Sequence, residues 1–223
     1  MAGSHLASDA SHNWHPFFLQ GTKTIAYELW EDLGFRPPDH VIIPSGAGSN
    51  ILGCDLGFSE LLAAGEISRL PKLWAAQPLV CSPIATAILD ALGEDDGQLP
   101  PCGGDANPAR RGPPPADAWN VPTKTMAEGT SIARPVRLEE CVDAVVRSRG
   151  GAVRVPEERI ADATFALAKL GLYTEPTCAQ AAAAFQTLLE GGKVRSDEVT
   201  VIILTSTGVK ATPSVAGLLG LQV

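Results

Sequence analysis

The chain has 223 residues, 45% of them apolar, and a formal net charge of −8. That length allows one large domain or two small ones with a substantial core, and the acidic balance argues against general binding of nucleic acid or anionic membranes. No run of about 18 apolar residues occurs, so no segment is predicted to span a bilayer, and the first residues lack the basic and apolar regions of a secretory signal.

The cysteines are scattered and odd in number, and none forms a CxxC pair. They are Cys54, Cys81, Cys102, Cys141 and Cys178. This pattern is typical of reduced thiols and disfavours a disulfide framework or a zinc site. The histidines near the start are not accompanied by further residues at metal-ligand spacing. We therefore expect a cytoplasmic protein without a metal centre.

The predicted organisation is an irregular N-terminal segment, residues 1–20, followed by one α/β domain, residues 21–223. Ile25, Leu29 and Leu33 repeat at four-residue spacing, which predicts an amphipathic helix that ends near Gly34. Thr22 or Thr24 is the expected cap of this helix.

Residues 40–53, HVIIPSGAGSNILG, predict a buried strand, a tight turn and a helix in direct succession. Such a turn can cradle a phosphate, because glycines let the backbone approach closely, free N–H groups point outward and the helix dipole favours an anion. The alternative is a close-packed turn without a ligand. A dinucleotide fingerprint would need a third glycine where Ile51 stands, and the Gly-Lys-Ser/Thr of a P-loop is missing.

Strands and helices alternate through the rest of the chain. Strands are predicted at residues 73–80, 151–155 and 198–205, and helices at 52–64, 82–92, 137–149, 159–170 and 177–189. Residues 93–120 are rich in Pro, Gly and Asp and predict a long surface insertion, either a loop or a lid, with a domain linker as the alternative. The alternation predicts a mainly parallel sheet with helices on both faces. Because ligands bind at the carboxyl ends of such strands, the turns after Ile43 and Leu204 are expected to face one ligand.

Five collinear stretches carry a resemblance to a known family. They are PFFLQGTKTIAYELWEDLG, VIIPSGAGSNILG, TMAEGTSIARPVR, YTEPTCAQAAAAF and VIILTSTGVK. From Pro16 to Lys210 the chain is similar to the C-terminal part of threonine synthase, with the insertion unmatched. More broadly, it resembles the pyridoxal-phosphate enzymes of the tryptophan-synthase-β fold type.

The resemblance implies pyridoxal phosphate as cofactor and assigns roles to matching residues. Gly46, Ala47, Gly48, Ser49 and Asn50 correspond to the family's glycine loop, which binds the cofactor phosphate. Thr205 corresponds to the hydroxyl that contacts the pyridine nitrogen, although its position also suits an ordinary strand end. Glu128 and Glu175 match segments near cofactor and substrate. Glu128 also suits a solvated carboxylate beside a turn, and Glu175 the start of a helix.

The chain departs from the family pattern in two respects. The family holds its cofactor as a Schiff base on a lysine within an Asn-Pro-Thr-Gly-Ser-Phe-Lys-type stretch, upstream of the segments found here. None of the six lysines of this sequence stands in such a context: Lys23, Lys72, Lys124, Lys169, Lys193 and Lys210. The asparagine loop that grips the substrate carboxylate is also missing. The resemblance therefore implies a phosphate cup and a ring-nitrogen contact without a covalent anchor.

Three functions follow as hypotheses. The first is a threonine-synthase-like lyase that catalyses β- or γ-replacement or elimination on a small amino-acid or phosphorylated substrate, completed by a lysine-bearing part. The second is a lysine-free, non-catalytic partner subunit. The third is a pyridoxal-independent enzyme that binds another phosphorylated ligand. An exposed apolar cleft wall would favour a homo-oligomer or a lysine-bearing partner chain.

Overall fold

The computed structural model describes residues 13, 15, 17–94, 96–97 and 125–221. Most of the predicted insertion at 93–120 and most of the N-terminal segment 1–20 lie outside these residues. The last three residues of that segment, 18–20, belong to a short helix, so the irregular segment ends earlier than predicted.

A four-stranded parallel sheet forms the centre of the domain, in the order β3-β2-β1-β4. Its strands are β1 (His40–Pro44), β2 (Lys72–Pro78), β3 (Gly151–Val155) and β4 (Thr200–Ile202). Ile42 stands opposite both Trp74 and Ile202, which sets the register of the three strands that meet at β1. Every strand pair is parallel, as the alternating pattern predicted.

Eight α-helices accompany the sheet in the described part of the chain. They are α1 (Phe18–Thr22), α2 (Thr24–Asp32), α3 (Ser49–Ala63), α4 (Pro83–Leu92), α5 (Leu138–Arg147), α6 (Glu157–Lys169), α7 (Pro176–Glu190) and α8 (Thr212–Leu218). Helix α3 begins within the predicted turn, at Ser49. The prediction that Thr22 or Thr24 caps α2 is wrong, because the N-cap residue is Lys23 and no side chain bonds to the first turn. The Thr22 hydroxyl instead donates to the carbonyls of Leu19 and Ser49, each 3.3 Å away.

Helices cover both faces of the sheet. Neighbouring residues of a strand point to opposite faces, so successive residues pack against different helices. Val41 and Ile43 pack with apolar residues of α2, α3, α4 and α5. Ile42 and Trp74 pack on the other side with residues of α6 and α7. Since both faces are buried, β1 is apolar at successive positions rather than alternating.

Strand β4 is much shorter than the predicted strand 198–205. It pairs with β1 alone and forms one edge of the sheet, and its three residues are only half-buried. Pairing continues as far as the amide of Ile203, which donates to the carbonyl of Ile42 at 3.0 Å. It stops there because the next bond of this parallel ladder would need a backbone N–H at Pro44, and proline has none. No helix in the described residues is long and apolar enough to cross a membrane.

Candidate functional site

A buried glutamine holds the turn that follows β1. The amide nitrogen of Gln77 donates to the carbonyl of Ser45, and its carbonyl oxygen accepts from the backbone N–H of Ala85, both at 2.9 Å. The Ser45 hydroxyl donates to the carbonyl of Ile43, also at 2.9 Å. One fully buried side chain on β2 therefore joins the turn to the start of α4.

Two glycines of the turn lie tightly against their surroundings. Gly48 has a φ of 89°, and a Cβ added there would lie 2.1 Å from Sγ of Cys141. Burial raises the pKa of that Cys141 thiol to about 12, so a neutral sulfur packs directly beneath Gly48. At Gly46 an added Cβ would lie 3.0 Å from the carbonyl oxygen of Gly129. At Gly48 the backbone approaches its neighbour more closely than any other residue would allow, and at Gly46 a side chain would crowd the Gly129 carbonyl.

The glycine loop, residues 46–50, presents unpaired donors. Among the described residues, no acceptor meets the backbone N–H groups of this loop, and no side chain caps α3. The loop leads straight into the 15-residue helix α3, whose N-terminus carries partial positive charge. Several convergent N–H groups at a helix N-terminus suit a phosphate dianion, so the donor set fits the phosphate of the predicted cofactor.

A cavity of about 260 Å³ opens beside the loop. The six residues predicted to contact the cofactor all line it: Gly46, Ala47, Gly48, Ser49, Asn50 and Thr205. The cavity also touches Gly129, Thr130, Ile132 and Thr177, which the sequence interpretation did not single out although they lie in two of the stretches that carry the family resemblance. The two turns at the carboxyl ends of β1 and β4 thus face one space, as their topology predicted.

The two predicted carboxylates lie beside this cavity rather than in its wall. Glu128 is exposed at the start of a short 3₁₀ turn, Glu128–Thr130. Glu175 is half-buried at the N-cap of α7, where its backbone carbonyl accepts from the N–H of Cys178 at 2.9 Å. Neither is a lining residue, and their neighbours Gly129 and Thr177 take that place.

Side chains of α7 hold the segment that forms the far wall of the cavity. The backbone N–H of Gly129 donates to the Thr177 hydroxyl at 3.2 Å, and the side-chain amide of Gln180 donates to the Thr130 hydroxyl at 3.1 Å. The Thr130 hydroxyl in turn donates to the carbonyl of Ala127 at 2.9 Å. These polar contacts fix the short 3₁₀ turn Glu128–Thr130 against α7.

No lysine in the described part of the chain lines the cavity. Lys23 forms an ion pair with Glu60 at 2.8 Å, and Lys193 one with Glu94 at 3.0 Å. Lys124 lies outside the described residues. The described residues also contain no group of three His, Cys, Asp or Glu side chains that could hold a metal ion.

Comparison with known sequences gives one family and a consistent set of relatives. A family model described as "Pyridoxal-phosphate dependent enzyme" matches residues 3–206. Threonine synthase of Methanocaldococcus jannaschii is 34% identical over 197 residues, which are 88% of this chain and 43% of the relative. Threonine synthase 2, chloroplastic, of Arabidopsis thaliana is 28% identical over 88% of this chain and 34% of its own length. The chain thus spans less than half the length of these relatives.

Solved structures share the fold at low sequence identity. Threonine synthase from Escherichia coli has a TM-score of 0.57 at 19% identity and covers 92% of this chain and 41% of its own. A fungal L-serine ammonia-lyase from Rhizomucor miehei has a TM-score of 0.63 at 16% identity, over 92% of this chain and 57% of its own. At these identities the likeness concerns the fold alone, and it confirms the predicted α/β class.

Proposed function

Because the chain belongs to the pyridoxal-phosphate dependent enzyme family, we propose that it forms the phosphate-binding and ring-nitrogen-binding part of a threonine-synthase-like enzyme. Membership in the family confirms the resemblance drawn from the five sequence stretches, and with it the family's cofactor, pyridoxal phosphate. The proposed reaction is β- or γ-replacement or elimination on a small amino-acid or phosphorylated substrate.

The observation that carries this proposal is the single cavity shared by the glycine loop and Thr205. The N–H groups of residues 46–50 would hold the phosphate, and the hydroxyl of Thr205 would meet the pyridine nitrogen. When bound, pyridoxal phosphate supplies an electron sink for reactions at the α-carbon of an amino acid. The chain's own contribution is to bind and orient the group: the loop through backbone donors, and Thr205 through one neutral hydroxyl.

The covalent anchor would come from outside the described residues. In this proposal a lysine-bearing segment, on the same protein or on a separate chain, packs beside the cavity. The surface beyond the carboxyl end of β4 favours such a partner or a second copy, because Tyr173, which packs against Gly208, and the adjacent Val209 are 46% and 68% exposed. Large apolar side chains left in contact with water near a sheet edge are typical of an interaction surface.

A second candidate function follows from the positions of the lysines. Since none in the described residues lines the cavity, the chain would also suit a non-catalytic partner subunit, or a protein that binds another phosphorylated ligand in the same loop. Backbone N–H groups recognise a phosphate without reading the rest of the molecule, so the loop alone does not select between these ligands.

A binding experiment separates the two candidates. We would titrate the chain with pyridoxamine 5′-phosphate, which needs no lysine, and compare it with pyridoxamine and with inorganic phosphate by isothermal calorimetry. The proposal predicts that pyridoxamine 5′-phosphate binds more tightly than either fragment, and that Thr205→Val weakens it without changing the binding of phosphate. Equal affinity for pyridoxamine 5′-phosphate and inorganic phosphate would favour the second candidate.

Covalent labelling locates the anchor. The chain would be incubated with pyridoxal phosphate, reduced with borohydride and mapped by mass spectrometry. Weak labelling spread over surface lysines is the expected result, whereas one strongly labelled lysine would place the anchor within this chain.

Light scattering tests the partner surface separately, because a monodisperse monomer would contradict assembly of the chain with itself.

A further inference from the structure

A buried thiol lies directly behind Thr205. Cys178 is fully buried in the first turn of α7, and its sulfur faces the turn that follows β4. The backbone N–H of Ser206 donates to Sγ at 3.0 Å, and Sγ lies 3.3 Å from both the Thr205 hydroxyl oxygen and the Ser206 carbonyl oxygen. One sulfur atom therefore contacts two successive residues of the turn that follows β4, Thr205 and Ser206.

The hydrogens available to this group allow two arrangements. The thiol has one hydrogen and two neighbouring acceptors, Ser206 O and Thr205 Oγ1. If the thiol donates to Ser206, the Thr205 hydroxyl donates to sulfur and turns its lone pairs to the cavity. If the thiol donates to Thr205, the hydroxyl hydrogen of Thr205 is free to point into the cavity. The two arrangements differ only in hydrogen positions, so no heavy atom has to move between them.

We propose that Cys178 is a positioning residue for Thr205, and that its thiol donates to Oγ1 so that the Thr205 hydroxyl donates to an unprotonated aromatic ring nitrogen in the cavity. This inference rests on the proposed function, because it requires a ligand with a pyridine nitrogen. It adds a residue outside the cavity wall that sets the direction of a contact inside it. The hydrogen bond from the backbone N–H of Ser206 holds the sulfur in place while the thiol hydrogen of Cys178 is donated to Thr205.

The test uses a conservative pair of variants and a pair of ligands. Cys178→Ala removes both the donor and the acceptor, whereas Cys178→Ser keeps one hydrogen and an acceptor. The ligands are pyridoxamine 5′-phosphate and its 1-deaza analogue, in which a C–H replaces the ring nitrogen. Cys178→Ala is expected to weaken pyridoxamine 5′-phosphate about three- to tenfold, the effect of one hydrogen bond, and to leave the deaza analogue and inorganic phosphate unchanged.

Two further results are expected. Cys178→Ser should retain most of the affinity for pyridoxamine 5′-phosphate, and Cys178→Ala should have no additional effect in a Thr205→Val background. Equal weakening of both ligands would overturn the positioning role, since a purely structural thiol does not distinguish a ring nitrogen from a C–H. Unchanged binding of both would overturn it as well.

The outcomes for the wild-type chain keep this inference separate from the proposed function. If the wild type binds pyridoxamine 5′-phosphate no better than inorganic phosphate, both proposals fail. If the wild type prefers pyridoxamine 5′-phosphate and Cys178→Ala keeps that preference intact, the proposed function stands and only the role of Cys178 is overturned.

Discussion

Replacing Gly48 by alanine should destabilise the domain through two separable effects. The φ of 89° places any side-chain-bearing residue in the left-handed region, at a cost of about 1–2 kcal/mol. The new Cβ would also lie 2.1 Å from Sγ of Cys141, and relieving such an overlap in a packed core costs about 1–3 kcal/mol. The free energy of unfolding should therefore fall by about 2–5 kcal/mol in total.

Gly65 offers a matched control for the backbone effect. Its φ is 79°, and an added Cβ would meet nothing within 4 Å, so Gly65→Ala should cost only about 1–2 kcal/mol. Both variants would be measured by urea unfolding followed by far-UV circular dichroism. In a Cys141→Ala background the overlap is absent, and the cost of Gly48→Ala should fall to that of Gly65→Ala. Equal costs for the two glycine variants in the wild-type background would refute the packing argument.

Three further predictions concern buried and charged groups. Gln77→Leu should lower the free energy of unfolding by about 2–4 kcal/mol in urea denaturation, because two buried backbone groups lose their partner; a change within error would contradict this role. Burial raises the thiol pKa of both Cys54 and Cys141 to about 12, so neither should react with Ellman's reagent at neutral pH until the chain unfolds. Labelling of either thiol faster than unfolding would be inconsistent with this. The hydrogen bond from Lys23 lowers the Glu60 pKa from its ordinary value of 4.5, so this carboxylate stabilises the fold above that value and loses its contribution as pH falls through the lowered pKa. The stability difference between wild type and Glu60→Gln should accordingly disappear in acid, and a difference that persists there would contradict the assignment.

Much of the architecture could be predicted from local pattern. The apolar run at Val41–Ile43 and the glycines after it predicted a buried parallel strand, a tight turn and a helix, and the structure has all three. Alternating strands and helices predicted the parallel sheet covered on both faces. These predictions succeed because the spacing of apolar residues along a helix or strand depends on the geometry of that element and on which of its faces are buried.

Other features depended on distant parts of the chain. The length of β4 was overestimated because its apolar residues continue opposite Pro44 of β1, which has no N–H to carry the pairing further. The start of α3 was placed too late because Ser49 and Asn50 suit a turn and a helix N-terminus equally well, so the local pattern does not fix the first residue of the helix.

The sequence by itself determined the order of the elements, the glycine loop at the end of a buried strand and the family resemblance. Only the tertiary structure placed the thiol of Cys141 beneath Gly48 and that of Cys178 behind Thr205, across separations of 93 and 27 residues. Propensity and period describe a residue's nearest neighbours along the chain. Which side chain lies under a given turn is decided when all the helices pack on the sheet, since only then do residues distant in sequence share a contact.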